Sequence, residues 1–213
     1  MRPLPFIGNI NIKMLILRAI SVLLAISVHE ASHGFAAYLL GDRTAKNMGR
    51  ISINPTRHID PIGALCLLIF GFGWAKPVMV NSFKFKNPKT GMSLVGLAGP
   101  LANFLLALIA GIIIKILYVT NCNISLLWEF MIVLISINVG LGVFNLIPIP
   151  PLDGSKIFLS LLPSRLYYDI MKYEHIGWIL LVIALGLGVL DPILGTVNNF
   201  VLRFIFFLTG VPI

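Results

Sequence analysis

Residues 25–38 read AISVHEASHGFAAY, an apolar stretch that holds two histidines and a glutamate in the pattern HExxH. A helix turns about 100° per residue, so His29 and His33 lie on one face with one imidazole a turn above the other. Glu30 points toward the same site. Two imidazoles and one further carboxylate ligand suit zinc and leave a fourth position for water, whose pKa zinc lowers to about 7. The stretch therefore predicts a metal site on a helix.

The composition places this helix in a membrane. Of 213 residues, 58% are hydrophobic and 11% are charged, with a mean hydropathy of +0.96, which is too apolar for an ordinary soluble domain. Ionisable side chains at membrane depth cost roughly 2.5 to 3.5 kcal/mol each, and a bound cation offsets that cost. For this reason a metal site is favoured over the alternative that these polar residues pair with one another or face a solvated loop.

Apolar runs of about 20 residues, the length of a membrane-spanning helix, predict four crossings. They extend from about Leu15 to Leu40, Ser93 to Tyr118, Leu126 to Leu146 and Ile176 to Leu190. The shorter segment Ile62 to Trp74 contains glycines and is interpreted as a re-entrant loop. The tail Asn199 to Leu208 contains Arg203, and either lies along the interface or completes a partial span.

These runs predict an all-α polytopic membrane protein with about four to six membrane segments, forming one domain over residues 1–213. Between Lys76 and Lys86 the sequence KPVMVNSFKFK alternates loosely, and a small β-hairpin and an irregular loop fit it equally. The N-terminal stretch has no pattern of a removable signal, so we expect it in the mature protein. Cys66 and Cys122 lack the spacing of a metal ribbon or a disulfide scaffold.

The formal net charge is +8. The basic residues collect in loops between apolar spans, and the positive-inside bias explains them better than nucleic-acid binding does. If the re-entrant loop returns to its own side, the basic stretches 42–58, 76–89 and 153–175 share one face. We therefore expect a multi-pass protein, in the cell membrane, with the metal site toward the cytoplasmic face and no nucleic-acid partner. The charges before residue 19 argue for the opposite orientation.

Asp153 is the candidate third ligand. It follows the third span in FNLIPIPPLDGSKI, residues 144–157, whose prolines forbid continued helix and whose Gly154 permits a sharp turn. The carboxylate is thereby held on a stiff segment at the end of a membrane helix. Taken alone, PPLDG is more typical of an ordinary turn.

Two pairs of motifs resemble a known family. HEASH (29–33) in the first span and NLIPIPPLDG (145–154) after a later span are similar to the two signature motifs of the site-2 protease family of intramembrane metalloproteases. The segments AGPLANF (98–104) and INPTRHIDPIG (53–63) are also similar to that family. The resemblance covers most of the chain, and it is to the compact branch of the family without PDZ or CBS domains.

The resemblance implies a zinc metalloendopeptidase that cleaves peptide bonds within or near transmembrane segments of membrane-protein substrates. It implies that His29, His33 and Asp153 bind one zinc ion and that Glu30 is the general base. Asn145 matches the position that holds the substrate backbone, although an Asn at a helix end equally caps or turns the chain. The partners expected are transmembrane proteins or peptides and the lipid bilayer. A helical substrate must unwind locally, and pairing with an edge strand around residues 78–86 would satisfy its freed backbone groups.

Other interpretations remain open for several polar residues and for the function. His58 and Asp60 are more typical of loop-ordering hydrogen bonds than of a role near substrate or metal. Asn103 and Asn138, within spans, are interpreted as interhelical hydrogen-bonding groups. A zinc transporter or channel is the competing function, because intramembrane His and acidic residues also build ion pathways. An inactive relative acting as a scaffold is the third.

Overall fold

The computed structural model describes residues 11–60, 63, 76–122 and 124–211. The α-helices that lie within these residues are α1 (Ile12–Leu39), α2 (Thr44–Asn47), α3 (Pro88–Val119), α4 (Ser125–Asn145), α5 (Asp153–Leu159), α6 (Ser164–Met171), α7 (Glu174–Gly186) and α8 (Asp191–Thr209). Single 3-10 turns lie at Pro55–Arg57 and Ser82–Lys84. The described part of the chain is therefore all-α, as the sequence predicts.

Four of these helices, α1, α3, α4 and α8, are long and apolar enough to cross a membrane. The first three confirm three of the predicted spans. α1 begins where the Asn11 side chain accepts a hydrogen bond from the Met14 N–H, and α3 begins where Asn87 does the same for Thr90. Pro88 at the first turn of α3 lacks only an N–H that a helix start leaves unpaired. This cap explains why α3 starts before the predicted Ser93.

The fourth predicted span, Ile176 to Leu190, forms a helix shorter than a full crossing. Its helix α7 has 13 residues, about 20 Å of helix against about 30 Å of hydrocarbon. The chain leaves it through Gly188, whose φ of +68° favours glycine. The fourth long helix is α8, which contains the tail Asn199 to Leu208. Pro192 lies in the first turn of this helix, where proline is favoured, and Arg203 lies inside the helix. The helix is therefore longer than the apolar tail predicted from the sequence.

The helices α3, α4 and α8 share one apolar core. Its buried members are Ala107, Ala110, Ile114, Met131, Leu134, Ile135, Val139, Val143 and Ile205. The small residues of α3 in this set let the neighbouring helix backbones approach closely, which is how helices gain contact in lipid. Large apolar side chains such as Leu105 and Ile116 remain exposed on the outer face of α3. That outer face is suited to lipid tails.

Glycine sets the distance between α3 and α4 at one point. A Cβ added at Gly142 would lie 2.6 Å from Cε1 of Phe104, whereas one added at Gly140 would meet nothing within 4 Å. Both glycines lie on α4. The aromatic ring of α3 therefore packs directly against the bare backbone at position 142.

We expect Gly142→Ala to lower the apparent melting temperature of the protein in detergent, because overpacking a close contact typically costs about 1 to 3 kcal/mol. Gly140→Ala is the matched control, since alanine there meets open space and is the better helix former. A thermal denaturation scan of both variants checks the difference. Equal melting temperatures would contradict the close contact.

The segment between Lys76 and Lys86 does not form the β-hairpin. No strand pairing occurs there in the part of the chain that the structure describes, and the irregular-loop interpretation is confirmed. Pro77 has no N–H to donate, the Lys76 N–H donates to the His58 carbonyl at 2.8 Å, and the Asn81 N–H donates to a carboxylate. These groups are engaged elsewhere and do not join a strand ladder. The re-entrant loop expected at 62–74 falls outside the described residues except for Gly63.

The carboxylate that receives the Asn81 N–H belongs to Asp42, which is fully buried just after α1. Asp42 Oδ2 accepts this hydrogen bond at 2.7 Å. Its Oδ1 accepts from the N–H and hydroxyl of Thr44 at 3.0 and 2.5 Å and lies 3.1 Å from Lys84 Nζ. Burial raises the pKa of this carboxyl, but the hydrogen bonds from Asn81, Thr44 and Lys84 outweigh it and lower the pKa to about 2.

Because folding lowers the pKa of Asp42, the protein should lose stability as the pH becomes acidic. The pKa of Asp42 falls from 3.8 to about 2 on folding, so its contribution to stability is complete above about pH 4 and is lost as the pH falls toward 2. Melting temperatures measured between pH 5 and pH 2 should fall more steeply for the wild type than for Asp42→Asn, whose side chain does not titrate. Parallel curves would contradict the assignment.

Candidate metal centre

Two histidines of α1 present their ring edges to one point. His29 and His33 are both buried, and their Nε2 atoms lie 3.0 Å apart. α3 passes them so closely that a Cβ added at Gly99 would lie 2.6 Å from Cε1 of either ring. Only glycine fits at that position without displacing an imidazole.

A carboxylate completes the arrangement. Asp153 lies in the first turn of α5 and is buried, with Oδ2 3.1 Å from His29 Nε2 and 3.0 Å from His33 Nε2. Its other oxygen accepts a hydrogen bond from Lys156 Nζ at 3.1 Å. The turn into α5 needs glycine, because a Cβ added at Gly154 would lie 2.2 Å from the Leu146 carbonyl oxygen. Residues far apart in sequence, two on α1 and one on α5, thus meet at a single point.

The backbone of α3 fixes the orientation of the second imidazole. His33 Nδ1 lies 2.7 Å from the carbonyl oxygen of Val95. A carbonyl oxygen only accepts, so Nδ1 must carry the proton of a neutral ring. The lone pair of His33 Nε2 therefore faces the site.

Two asparagines fix the orientation of the first imidazole. Both N–H groups of the Asn103 amide are used, one donating to the Ala25 carbonyl at 3.1 Å and one to Asn138 Oδ1 at 2.8 Å. Asn138 in turn donates to the Leu134 carbonyl at 2.8 Å. Asn103 Oδ1 is left to accept from His29 Nδ1, 2.6 Å away. The Nε2 atom of His29 therefore carries no proton, and its lone pair also faces the site.

Three acceptor atoms therefore converge within 3.0 to 3.1 Å of one another. Without a cation their lone pairs repel, and a shared proton relieves only part of that repulsion. Bonds of about 2.0 to 2.1 Å to a tetrahedral zinc ion separate its ligands by about 3.3 Å, close to the distances seen. The residues fit such an ion.

Glu30 lies beside these atoms. One carboxylate oxygen of Glu30 and one nitrogen of each imidazole all lie within 4.8 Å of one another. Glu30 is half-buried, and its Oε2 accepts a hydrogen bond from the backbone N–H of Val78 at 3.0 Å. The carboxylate is close enough to act on a water molecule at the centre without occupying the meeting point itself.

A cavity of about 480 Å³ opens onto the centre. Its walls are mainly apolar side chains of α1, α4 and α7, with a few polar residues that are His29, Glu30, His58, Asp60 and Asn145. The amide nitrogen of Asn145 donates to the Leu141 carbonyl at 3.0 Å, which leaves its oxygen as an acceptor at the cavity. Three of the predicted site residues, His29, Glu30 and Asn145, therefore border one cavity.

His58 and Asp60 order the loop after α2, as the sequence predicts. His58 Nε2 donates to the Ser52 carbonyl at 2.7 Å, and Asp60 Oδ1 accepts from the Gly63 N–H at 2.9 Å. Both also line the cavity. Neither shares the meeting point of the three acceptor atoms.

Sequence reasoning missed what α3 and α4 contribute. It interpreted Asn103 and Asn138 as interhelical hydrogen-bonding groups, which they are, but not as the residues that set the tautomer of His29. It also overlooked Gly99 as the point of close approach. The spacing held a signal, because Gly99 and Asn103 are four positions apart and so lie on the same helix face.

Comparisons with known proteins agree with this chemistry. Residues 111–187 match Peptidase family M50. Over 193 residues the chain is 35% identical to the Bacillus subtilis (strain 168) protein "Putative zinc metalloprotease YwhC", covering 86% of this chain and 88% of that protein. It is 28% identical to "Putative zinc metalloprotease Rip2" of Mycolicibacterium smegmatis, covering 72% of this chain, and 27% identical to "Zinc metalloprotease MJ0392" of Methanocaldococcus jannaschii, covering 80%. It spans 58% and 42% of the lengths of those two relatives. No solved structure matches the chain significantly.

Replacing Asn103 tests the network behind the imidazoles. Asn103→Ala leaves the buried N–H of His29 without its acceptor, so we expect zinc affinity to fall about 10- to 100-fold, as when other outer partners of a ligating histidine are removed. Asn199→Ala, at an exposed position of α8, is the control and should retain zinc. Metal content measured across a chelator titration separates the two. Identical retention by both variants would show that the network does not support metal binding.

Proposed function

The chain belongs to Peptidase family M50 and is a zinc metalloprotease, and we propose that it cleaves membrane-protein substrates within or near their transmembrane segments. We propose that one zinc ion is held by His29, His33 and Asp153. The observation that carries the proposal is the convergence of their three acceptor atoms within 3.0 to 3.1 Å. Three protein ligands leave a fourth position of a tetrahedral ion open, as catalytic zinc sites require.

Each ligand contributes in a different way. When bound here, zinc would polarise a substrate carbonyl and lower the pKa of water. The N–H groups of His29 and His33 that point away from the centre are engaged by Asn103 and the Val95 carbonyl, so both rings are held in the binding orientation. The charge of Asp153 offsets part of the ion's charge, and its contact with Lys156 holds the second oxygen away from the centre.

Glu30 acts as the general base in this proposal. It follows His29 directly on α1, and its carboxylate lies near the imidazole nitrogens without being needed as a ligand. It accepts a proton from the attacking water and later gives that proton to the leaving nitrogen of the cleaved bond. This single group thus serves both proton transfers of the reaction.

The cavity suits an unwound stretch of a transmembrane segment. Its apolar walls include Ile26 on α1, Leu141 on α4 and Trp178 on α7, which resemble the lipid that the substrate leaves. A helical substrate shelters its carbonyls, so it must open locally, and its freed backbone groups then need partners. Asn145 at the cavity edge is placed to provide one. The segment 76–81 lies beside Glu30, where the Val78 N–H donates to its carboxylate, and is a second place for such pairing.

The protein is an integral membrane protein, and we propose that it lies in the cell membrane with the metal centre toward the cytoplasm. Basic residues cluster at the end of the molecule that contains α2, the 76–86 segment and α6. They are Arg43, Lys46, Arg57, Lys76, Lys84, Lys86, Lys89, Lys156, Arg165 and Lys172. Such an excess of Lys and Arg is typical of cytoplasmic loops.

Removing the base while keeping its shape tests the chemistry. Glu30→Gln should retain zinc and lose at least about 100-fold in kcat, since general-base catalysis typically contributes 10² to 10⁴ in rate. Glu129→Gln, which changes an exposed carboxylate paired with Lys13, is the matched control and should cleave like the wild type. The assay is cleavage of a transmembrane peptide in liposomes, followed by mass spectrometry. Wild-type rates for Glu30→Gln would show that the assigned base is wrong.

A further inference from the structure

The side chain of Glu30 needs an external support. It has three rotatable bonds, and fixing such a side chain costs about 1.5 to 2 kcal/mol in lost rotamer freedom. Among the described residues, Glu30 receives a hydrogen bond from the backbone of Val78, whose N–H lies 3.0 Å from Oε2. Val78 is 48 positions away in the sequence. The orientation of Glu30 thus depends on where another part of the chain is placed.

The position of Val78 is set by contacts on both sides of it. Before it, the Lys76 N–H donates to the His58 carbonyl at 2.8 Å. Beside it lies α1, where Gly34 leaves room for the Val78 side chain: a Cβ at that glycine would lie 3.4 Å from Val78 Cγ1. After it, the Asn81 N–H donates to Asp42 Oδ2 at 2.7 Å. The segment 76–81 is therefore held against the end of α1.

Asp42 is the strongest of these supports. It is fully buried, and both of its oxygens are used, with Oδ2 holding Asn81 and Oδ1 receiving Thr44 and the Lys84 ammonium. Hydrogen bonds to a charged acceptor are roughly twice as strong as neutral ones. The N–H of Asp42 itself donates to the Ala37 carbonyl of α1 at 2.9 Å. This residue connects the helix that carries Glu30 to the segment that orients it.

We propose that Asp42 is a positioning residue for peptide-bond cleavage: it holds the segment 76–81 at a distance where the Val78 N–H keeps the Glu30 carboxylate beside the imidazoles. The proposal rests on the role of Glu30 as base in the proposed function. One carboxylate oxygen is occupied by a backbone donor, and the other is left for the proton of the water. Loss of Asp42 lets the segment and the carboxylate shift together, while the imidazoles keep their own supports on α3.

This proposal makes a different prediction from a purely structural role. Misplacing a catalytic group by about 1 Å costs on the order of 100-fold in rate without removing a binding contact. Asp42→Ala should therefore lower kcat about 10- to 100-fold while KM and bound zinc stay within about twofold of the wild type. Asp42→Asn keeps an oxygen that accepts the Asn81 N–H, and kcat should recover to within about threefold.

The experiment compares four variants of the full chain in liposomes, using a transmembrane peptide as substrate. They are Asp42→Ala, Asp42→Asn, Val78→Pro and Lys172→Ala. Val78→Pro removes the donor itself and should lower kcat at least as much as Asp42→Ala. Lys172→Ala is the control, because Lys172 is exposed and its side chain makes no hydrogen bond within the described part of the chain; its kcat should match the wild type. For each variant kcat, KM, bound zinc and melting temperature are measured.

Two outcomes would overturn the proposal. One is a kcat of Asp42→Ala equal to that of the wild type. The other is a fall in kcat that, in Asp42→Ala, Asp42→Asn and Val78→Pro alike, is fully explained by a matching loss of bound zinc or of folded protein. Failure of the proposed function is distinguishable, because then the wild type fails to cleave the peptide or Glu30→Gln cleaves it normally. An active wild type with an inactive Glu30→Gln and an unaffected Asp42→Ala refutes only this inference.

Discussion

Three hydrogen-bond acceptors held about 3 Å apart inside a membrane protein form an arrangement that a cation stabilises. The Nε2 atoms of His29 and His33 and the Oδ2 atom of Asp153 are in this arrangement because their remaining polar atoms are engaged elsewhere. α1, α3 and α5 each have to be in place for the three atoms to meet. The close approach of α3 at Gly99 and the proline-rich turn before Asp153 bring these helices into place.

Buried polar groups hold the His29 imidazole through a chain of hydrogen bonds in which each residue donates to the next. Asn138 donates to α4, Asn103 donates to Asn138 and to α1, and His29 donates to Asn103. A buried amide without partners would be costly in a dry interior. With its partners satisfied, the network ties α1, α3 and α4 together at the depth of the centre. Stability and metal orientation are therefore coupled in the same few contacts.

The sequence predicts the parts of this structure that depend on local patterns. Long apolar runs predict α1, α3 and α4, and the HExxH spacing predicts the two converging imidazoles. Asp153 is a candidate from its proline-stiffened turn, and only the family resemblance favours it as a ligand. The sequence did not predict the division between α7 and α8, because one apolar stretch with glycines is compatible with several helix boundaries. Nor did it give the Val78 contact with Glu30 or the role of Gly99, since these contacts join segments far apart in the chain.

The most direct test of the account is the position of the metal itself. Crystals of zinc-loaded protein, measured on both sides of the zinc absorption edge, would show the ion as an anomalous difference peak. We expect one peak about 2.0 to 2.2 Å from Nε2 of His29 and His33 and from Oδ2 of Asp153. A peak that excludes Asp153, or a strong peak elsewhere with none at the imidazoles, would contradict it.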